Sequence, residues 1–388
     1  MSGAHSKAGR SRSKSPSSTR GWLIAILAVG VALVGVVTTV AVRGQFTRAS
    51  ATPTSAPARV VGDATPAGAF RVLSATPADQ STQVPTDATI TVQFSRPLDP
   101  HSPTPTLTPA VAGTWQVVTP DAFSFVATAP LVPAGTETVT VPAGVTSASG
   151  KQLGTPYTTE FSVALGSTLR LQQLLAQLGY LPVTFTPAGP LTAPQEAAQA
   201  QQGSFSWRFS EPAALTSLWT VGTSNVITTG AVMNFEARHN LTTDGFAGPA
   251  VWTQLLAAAA AGQMDPAAYN YVYVSKNLPE TATVYSDGSQ VYSTLANTGV
   301  PAAATADGTY PVYARYVTTT MTGTNPNGSH YSDPGIPWVS YFHGGDALHG
   351  FVRGSYGFPQ SDGCVEMPPA NAAVVFPYTP IGTLVTVS

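Results

Sequence analysis

The chain has 388 residues, of which only 9% are charged, with 35 glycines, 34 prolines and a single cysteine. An average domain carries about 25% charged residues. The length allows two or three domains, and an apolar fraction of 43% is enough to bury their cores. One cysteine excludes a disulfide framework, a CxxC redox pair and a multi-cysteine zinc site. The net charge of −2 hides a split: seven of the 17 basic residues precede residue 49 with no acid among them, and beyond it ten face 19 acids. A body that acidic excludes nucleic acid as a partner, because phosphate binding rests on cationic neutralisation.

Residues 1–20 form a basic tail of Ser, Lys and Arg without core-forming residues. Trp22 to Val42 follows as 21 residues without a charge, the length that spans a hydrocarbon layer. Five basic residues precede this run, and Arg43 and Arg48 follow it. The positive-inside rule puts the tail in the cytoplasm and the rest of the chain outside. The expectation is a single N-terminal transmembrane helix over 21–43, and so a single-pass protein of the cell membrane facing the wall. A cleaved signal peptide is the rival, but Val40-Ala41-Val42-Arg43 is a poor cleavage site. Residues 44–67 are a Pro/Ala/Thr linker.

Residues 68–165 carry short alternating runs between turns: Thr89–Phe94, Trp115–Val118, Phe123–Ala127, Glu137–Val141 and Thr158–Val163. Such spacing predicts a β-sandwich. The stretch Ser74-Ala75-Thr76-Pro77, Val84-Pro85 and Ile90 to Leu98 resembles bacterial Ig-like domains, which implies a spacer without a site of its own.

Residues 166–262 change period. Leu171, Leu174, Leu175 and Leu178 mark one face of a helix that Gly179 stops. A second helical run covers Ala231 to His239. Leu178-Gly179-Tyr180-Leu181, with Asp244-Gly245-x-x-Gly248-x-x-x-Trp252-x-x-Leu255 later, is similar to the small three-helix peptidoglycan-binding module. The middle, 183–228, is an insertion, and its Trp207, Phe209 and Trp219 are expected to add core rather than stack on sugars.

From Asn270 the pattern is β again, with strands predicted over Tyr271–Val274, Thr281–Tyr285, Gln290–Thr294, Gly308–Tyr316, Trp338–Phe342 and Leu384–Val387. Asp287-Gly288 and Asn325-Pro326-Asn327-Gly328 supply turns. The overall fold class is mainly β. Cys364 stands in Ser361-Asp362-Gly363-Cys364-Val365-Glu366-Met367, outside any apolar run, and His349 precedes it by 15 residues. A histidine near a thiol can take its proton, and a glycine before the nucleophile permits a tight turn whose N–H groups hold an oxyanion.

This His-Gly … Ser-x-Gly-Cys arrangement resembles the L,D-transpeptidase catalytic domain of the YkuD family, over 268–388. The resemblance implies an enzyme forming 3→3 cross-links between peptidoglycan stem peptides through a cysteine thioester. Cys364 is then the nucleophile, His349 the acid–base group, Gly363 part of the oxyanion hole, and the Gly350 carbonyl the group that fixes the His349 tautomer. Ser361, Tyr341, His343 and Arg353 are candidates to contact substrate. Arg353 could also supply the positive charge that the family usually carries at Glu366. No cofactor or metal is implied, and the protein is expected to be a monomer whose partners are stem peptides and glycan. Asp362 and Glu366 depart from the family pattern: the Asp362 carboxylate should disfavour the thiolate of Cys364, and Glu366 should repel a free carboxylate on the donor stem.

Other functions compete. A zinc site from His343, Asp346, His349 and Cys364 has no HExxH in support. A non-catalytic wall-binding protein would have a dead site, and an L,D-carboxypeptidase would use the same cysteine with water. Sortase-like enzymes carry a Thr-Leu-x-Thr run just before the cysteine and an arginine at a distance after it, and this chain has neither at those places.

Replacing Lys7, Arg10, Arg12, Lys14 and Arg20 by Glu should impair insertion with the N-terminus inside, scored by protease accessibility of the tail. A secreted product beginning near residue 43 would show cleavage instead.

Overall fold

The computed structural model describes residues 68–388 apart from 192 and 211. The tail, the membrane helix and the linker expected over 1–67 lie outside the described residues. Among the described residues no helix is long and apolar enough to cross a membrane. The architecture is mainly β.

Residues 68–165 hold eight strands: β1 (Val72–Thr76), β2 (Ser81–Val84), β3 (Ile90–Phe94), β4 (Thr106–Thr108), β5 (Gly113–Thr119), β6 (Ala122–Ala127), β7 (Thr136–Val141) and β8 (Tyr157–Val163). They form two sheets, ordered β1-β3-β6-β5 and β2-β8-β7-β4. Alternation builds the sandwich. Ile90, Val92 and Phe94 of one sheet meet Val139, Val141 and Phe161 of the other in a single core. The same alternation carries Glu137 of β7 inward, where it is 1% exposed. Its Oε2 has no partner, and burial pushes its pKa up to about 7.

In the helical segment, α1 (Thr168–Gln177) begins at Ser167, whose hydroxyl accepts from the Arg170 N–H at 3.1 Å. Leu171, Leu174, Leu175 and Leu178 are all buried, as their spacing predicts. The insertion folds as a hairpin of β9 (Val183–Pro187) and β10 (Gly203–Trp207), then the short α2 (Ala213–Thr216). Its Trp207, Phe209 and Trp219 lie half-buried against the helical core, with the Phe205 and Trp219 rings 5.5 Å apart. They add core, as the sequence suggests. Helix α3 (Val226–Arg238) starts ahead of the predicted Ala231 because Asn225 caps it, accepting from the Thr228 N–H at 3.0 Å. Helix α4 (Pro249–Ala261) opens on a proline and ends at Gly262 in the left-handed region.

Helix α3 docks on the C-terminal segment. A Cβ on Gly230 would lie 2.5 Å from the Gly382 carbonyl, so only glycine allows this approach. Asn234 Nδ2 donates to the Ile381 carbonyl at 3.2 Å. Tyr271 and Leu384 from beyond residue 268 are members of the helical core, so the two segments share buried apolar surface.

The C-terminal segment contains β11 (Asn270–Ser275), β12 (Thr281–Ser286), β13 (Ser289–Leu295), β14 (Gly308–Pro311), β15 (Ala314–Thr324), β16 (His330–His343), β17 (Asp346–Gly350), β18 (Val365–Met367), α5 (Pro369–Val375) and β19 (Leu384–Val387). Two sheets result, ordered β13-β12-β11-β19-β14 and β15-β16-β17-β18. The stretch predicted as one strand over Gly308–Tyr316 is two. It changes sheets at Val312, whose N–H goes to Thr383 while that of Tyr313 goes to Tyr341. Strand β16 runs well ahead of the predicted Trp338, because its first half is mostly polar and exposed and lacks an alternating apolar signal. Val272, Val274, Val385, Phe342, Leu348, Val365 and Met367 fill the space between the sheets, with Ala372 and Val375 of α5.

Glu236 of α3 repeats the situation of Glu137: it is buried, its Oε1 has no partner, and desolvation leads in pushing its pKa up to about 7. Both carboxyls keep their proton to higher pH in the fold than in the unfolded chain, where 4.5 applies. Stability therefore falls as pH rises from about 4.5 through about 7. Glu137→Gln should stabilise the protein at pH 8.5 and much less at pH 5, a difference of roughly 2–3 kcal/mol. Thermal melts that respond equally at both pH values would mean that Glu137 reaches water.

Candidate active site

The turn at Gly344 and Gly345 leads from β16 into β17, which then pairs in parallel with β18. Leu348 stands opposite Val365, His349 opposite Glu366, and Gly350 opposite Met367. Parallel neighbours cannot be joined by a tight turn, so residues 351–364 form a crossover loop. Leu348, Val365 and Met367 point into the core between the sheets. Successive strand side chains face opposite ways. His349, Cys364 and Glu366 are therefore turned to the other side, onto a pocket of about 320 Å³. Tyr331, Asp333, Ile336, Phe351, Arg353, Ser361 and Asp362 also line it.

His349 is 3% exposed, and its Nδ1 lies 3.1 Å from the Gly350 carbonyl oxygen. A carbonyl only accepts, so Nδ1 carries the proton and Nε2 keeps its lone pair. Burial holds the pKa of His349 below the ordinary 6.5, and the Gly350 carbonyl and the Glu366 carboxylate work against that fall. At neutral pH the ring is an unprotonated base.

Cys364 is half-buried and unpaired, with Sγ 3.7 Å from the Gly345 carbonyl oxygen. Burial pushes its pKa up to about 12; the Ala347 backbone N–H works against this, and Asp346, Glu366 and Asp362 add to it. The thiol is therefore protonated at rest, in the direction expected from its acidic neighbours. The foremost of those carboxylates is Asp346, which the sequence reading considered only as a metal ligand. Gly363, at φ +111°, needs glycine: a Cβ there would stand 2.5 Å from Asp346 Oδ1. Asp346 is held in turn by the Ala306 N–H at 3.1 Å.

Ser361 is buried, and its hydroxyl donates to the Cys364 carbonyl at 2.5 Å, closing the turn that carries the thiol. Arg353 lines the pocket, but its guanidinium is committed to Glu366 through two bonds of 2.7 Å. Tyr341 and Cys364 each pack against the small cluster of Met321, Ile336, Val339 and Ala347, and Tyr341 also meets the rings of Tyr313 and Tyr316 without lining the pocket. His343 stands apart from the pocket, 3.6 Å from Asp346 Oδ2, with its ring tilted against that of Tyr310, centroids 4.3 Å apart. Among the described residues no three His, Cys, Asp or Glu side chains converge to hold a metal. The Arg353–Glu366 pair has a faint sequence signal, opposite charges that each follow a reactive residue within four positions.

A histidine with a free Nε2, one strand from a cysteine at the edge of a two-sheet β domain, is an arrangement that can carry out cysteine acyl transfer. The comparisons specify it further. Residues 269–387 match the L,D-transpeptidase catalytic domain, and residues 66–163 match the bacterial Ig-like domain. The match covers the C-terminal segment alone, and it makes the protein an enzyme of the L,D-transpeptidase kind. The helical segment falls in neither match. No curated protein matches the chain.

Among solved structures, an L,D-transpeptidase from Mycobacterium smegmatis is 13% identical, with 82% of this chain and 99% of that chain covered and a TM-score of 0.28. L,D-transpeptidase 3 from Mycobacterium tuberculosis, with a faropenem-derived adduct, is 12% identical over 82% of this chain and 98% of that one, at a TM-score of 0.29. The catalytic domain of the E. faecium L,D-transpeptidase is 25% identical over 31% of this chain and 96% of that one, at 0.29.

Gly363→Ala forces a Cβ into Asp346 and strains the turn that carries the thiol. Acylation of Cys364 by a carbapenem, followed as the adduct mass, should slow by about 10²-fold, the effect of misplacing a reacting atom by an ångström. An unchanged rate would show that the turn tolerates a side chain.

Proposed function

We propose that the protein is a cell-wall L,D-transpeptidase that forms 3→3 cross-links through a thioester on Cys364. The observation that carries this reading is the Nδ1–Gly350 bond, which leaves Nε2 of His349 as a base on the strand beside the nucleophile. The donor is a stem tetrapeptide whose third residue is a diamino acid followed by D-Ala. Cys364 Sγ attacks the carbonyl of the third residue as its proton passes to His349 Nε2. Backbone N–H groups of Gly363 and Cys364 hold the developing oxyanion. The C–N bond breaks, D-Ala leaves with the proton from His349, and a thioester remains. The side-chain amine of another stem's diamino acid attacks it and gives its proton to His349. The C–S bond then breaks, and the thiol recovers the proton.

The other parts of the chain serve this chemistry. The membrane helix over 21–43 keeps the enzyme at the outer face of the membrane, and the Ig-like domain sets its distance from it. The helical segment holds peptidoglycan, and the enzyme works as a monomer. Of the remaining candidates, Tyr341 has a polar tip to offer substrate, from the cluster on which Cys364 also packs.

The purified protein incubated with a disaccharide-tetrapeptide should yield a dimer that has lost one D-Ala, read by mass spectrometry. Cys364→Ala should abolish it, and His349→Ala should slow it by about 10²–10⁴-fold. A tripeptide as sole product would make the enzyme a carboxypeptidase. No product from the wild type would leave a wall-binding protein.

A further inference from the structure

Glu366 is a buried carboxylate, 4% exposed, two residues after the nucleophile and opposite His349 across the parallel pair. Its only side-chain partner among the described residues is Arg353, bound through Nε and a terminal nitrogen at 2.7 Å each. A planar fork on a carboxylate fixes orientation as well as distance. Arg353 is the fourth residue after His349, in the crossover loop. The pair therefore ties the chain leaving the base to the strand that follows the nucleophile.

The same guanidinium makes further contacts. It donates to the Gln360 carbonyl at 3.3 Å and lies over the Phe351 ring at 4.6 Å. Phe351 stands edge-on to the His349 ring, centroids 6.1 Å apart. The Arg353 N–H meets the Tyr356 hydroxyl at 3.0 Å, and that hydroxyl donates to the Phe351 carbonyl at 2.6 Å. Arg353 thus holds both ends of the loop and the ring that flanks the base.

We infer that the Arg353–Glu366 ion pair positions the His349–Cys364 couple by clamping the crossover loop to β18, and that Arg353 is a positioning residue rather than a substrate-binding one. The inference rests on Cys364 and His349 being the reacting pair. A guanidinium already forked on a buried carboxylate is not free for a carboxylate of the stem. Charge follows geometry. The charged groups facing His349 are Glu366 on β18, Arg353 in the loop and Asp333 on β16. Glu366 favours the imidazolium and Arg353 opposes it.

The test alkylates Cys364 with iodoacetamide, a small neutral probe that needs no stem peptide, across pH 4–9. It compares wild type, Arg353→Gln, Glu366→Gln and the reversed pair Arg353→Glu with Glu366→Arg. Each single variant should alkylate about 10–100-fold more slowly at neutral pH, as a displaced couple does. The acid limb, where His349 takes up a proton, should move to higher pH in Arg353→Gln and to lower pH in Glu366→Gln. The reversed pair should return both rate and limb toward wild type. A reversed pair slower than about a tenth of wild type, for whatever reason, overturns the inference. So does an Arg353→Gln protein that alkylates like wild type while its KM for the tetrapeptide donor rises, which is how a substrate-binding arginine would behave. Failure of the transpeptidase reading shows separately, as absence of cross-linked product from a wild type whose alkylation still follows this pattern.

Discussion

The active site depends on the parallel pairing of β17 with β18. That register sets His349 opposite Glu366 and brings Cys364, two residues before Glu366, beside the strand of His349. It also decides which side chains are core. Leu348, Val365 and Met367 fill the space between the sheets, and the residues between them are left facing the pocket. A shift of one residue would exchange the two sets, burying the thiol and exposing the leucine. Apolar packing on one face thus fixes the placement of the pocket residues on the other.

Much of this was legible in the chain. Alternating Ile, Val and Phe marked the sandwich strands, and four leucines at helical spacing marked α1. The lone cysteine behind a glycine, with a histidine 15 residues earlier, marked the site. What escaped depends on contacts between segments. The pairing of Arg353 with Glu366 and the closeness of Asp346 to Gly363 follow from strand register and loop path, which spacing along the chain does not reveal. Strands β17 and β18 are five and three residues long, too short for a period to show. Asp346 could be listed as a titratable residue near the site, but not as the leading carboxylate acting on the thiol.

The helical segment is more than a passenger beside the catalytic sheets. Gly230 meets Gly382 at backbone distance, Asn234 reaches Ile381, and Leu384 of the last strand lies in the helical core. Leu384 belongs to β19, which lies between β11 and β14 in the five-stranded sheet. Removing α3 would expose Leu384, which packs on it at Gly230, at a cost of roughly 1.5–3 kcal/mol for a large apolar side chain brought into water. The helices complete the rear of the catalytic domain.

The half-buried, protonated state of Cys364 has a further chemical consequence. Oxidants attack thiolates, and their damage climbs from a reversible sulfenic acid to irreversible acids. A thiol whose pKa is pushed up to about 12 exposes almost no thiolate between reactions. With no second cysteine in the chain, no intramolecular disulfide could rescue a sulfenic acid. Burial and the surrounding carboxylates both favour the thiol over the thiolate that oxidants attack.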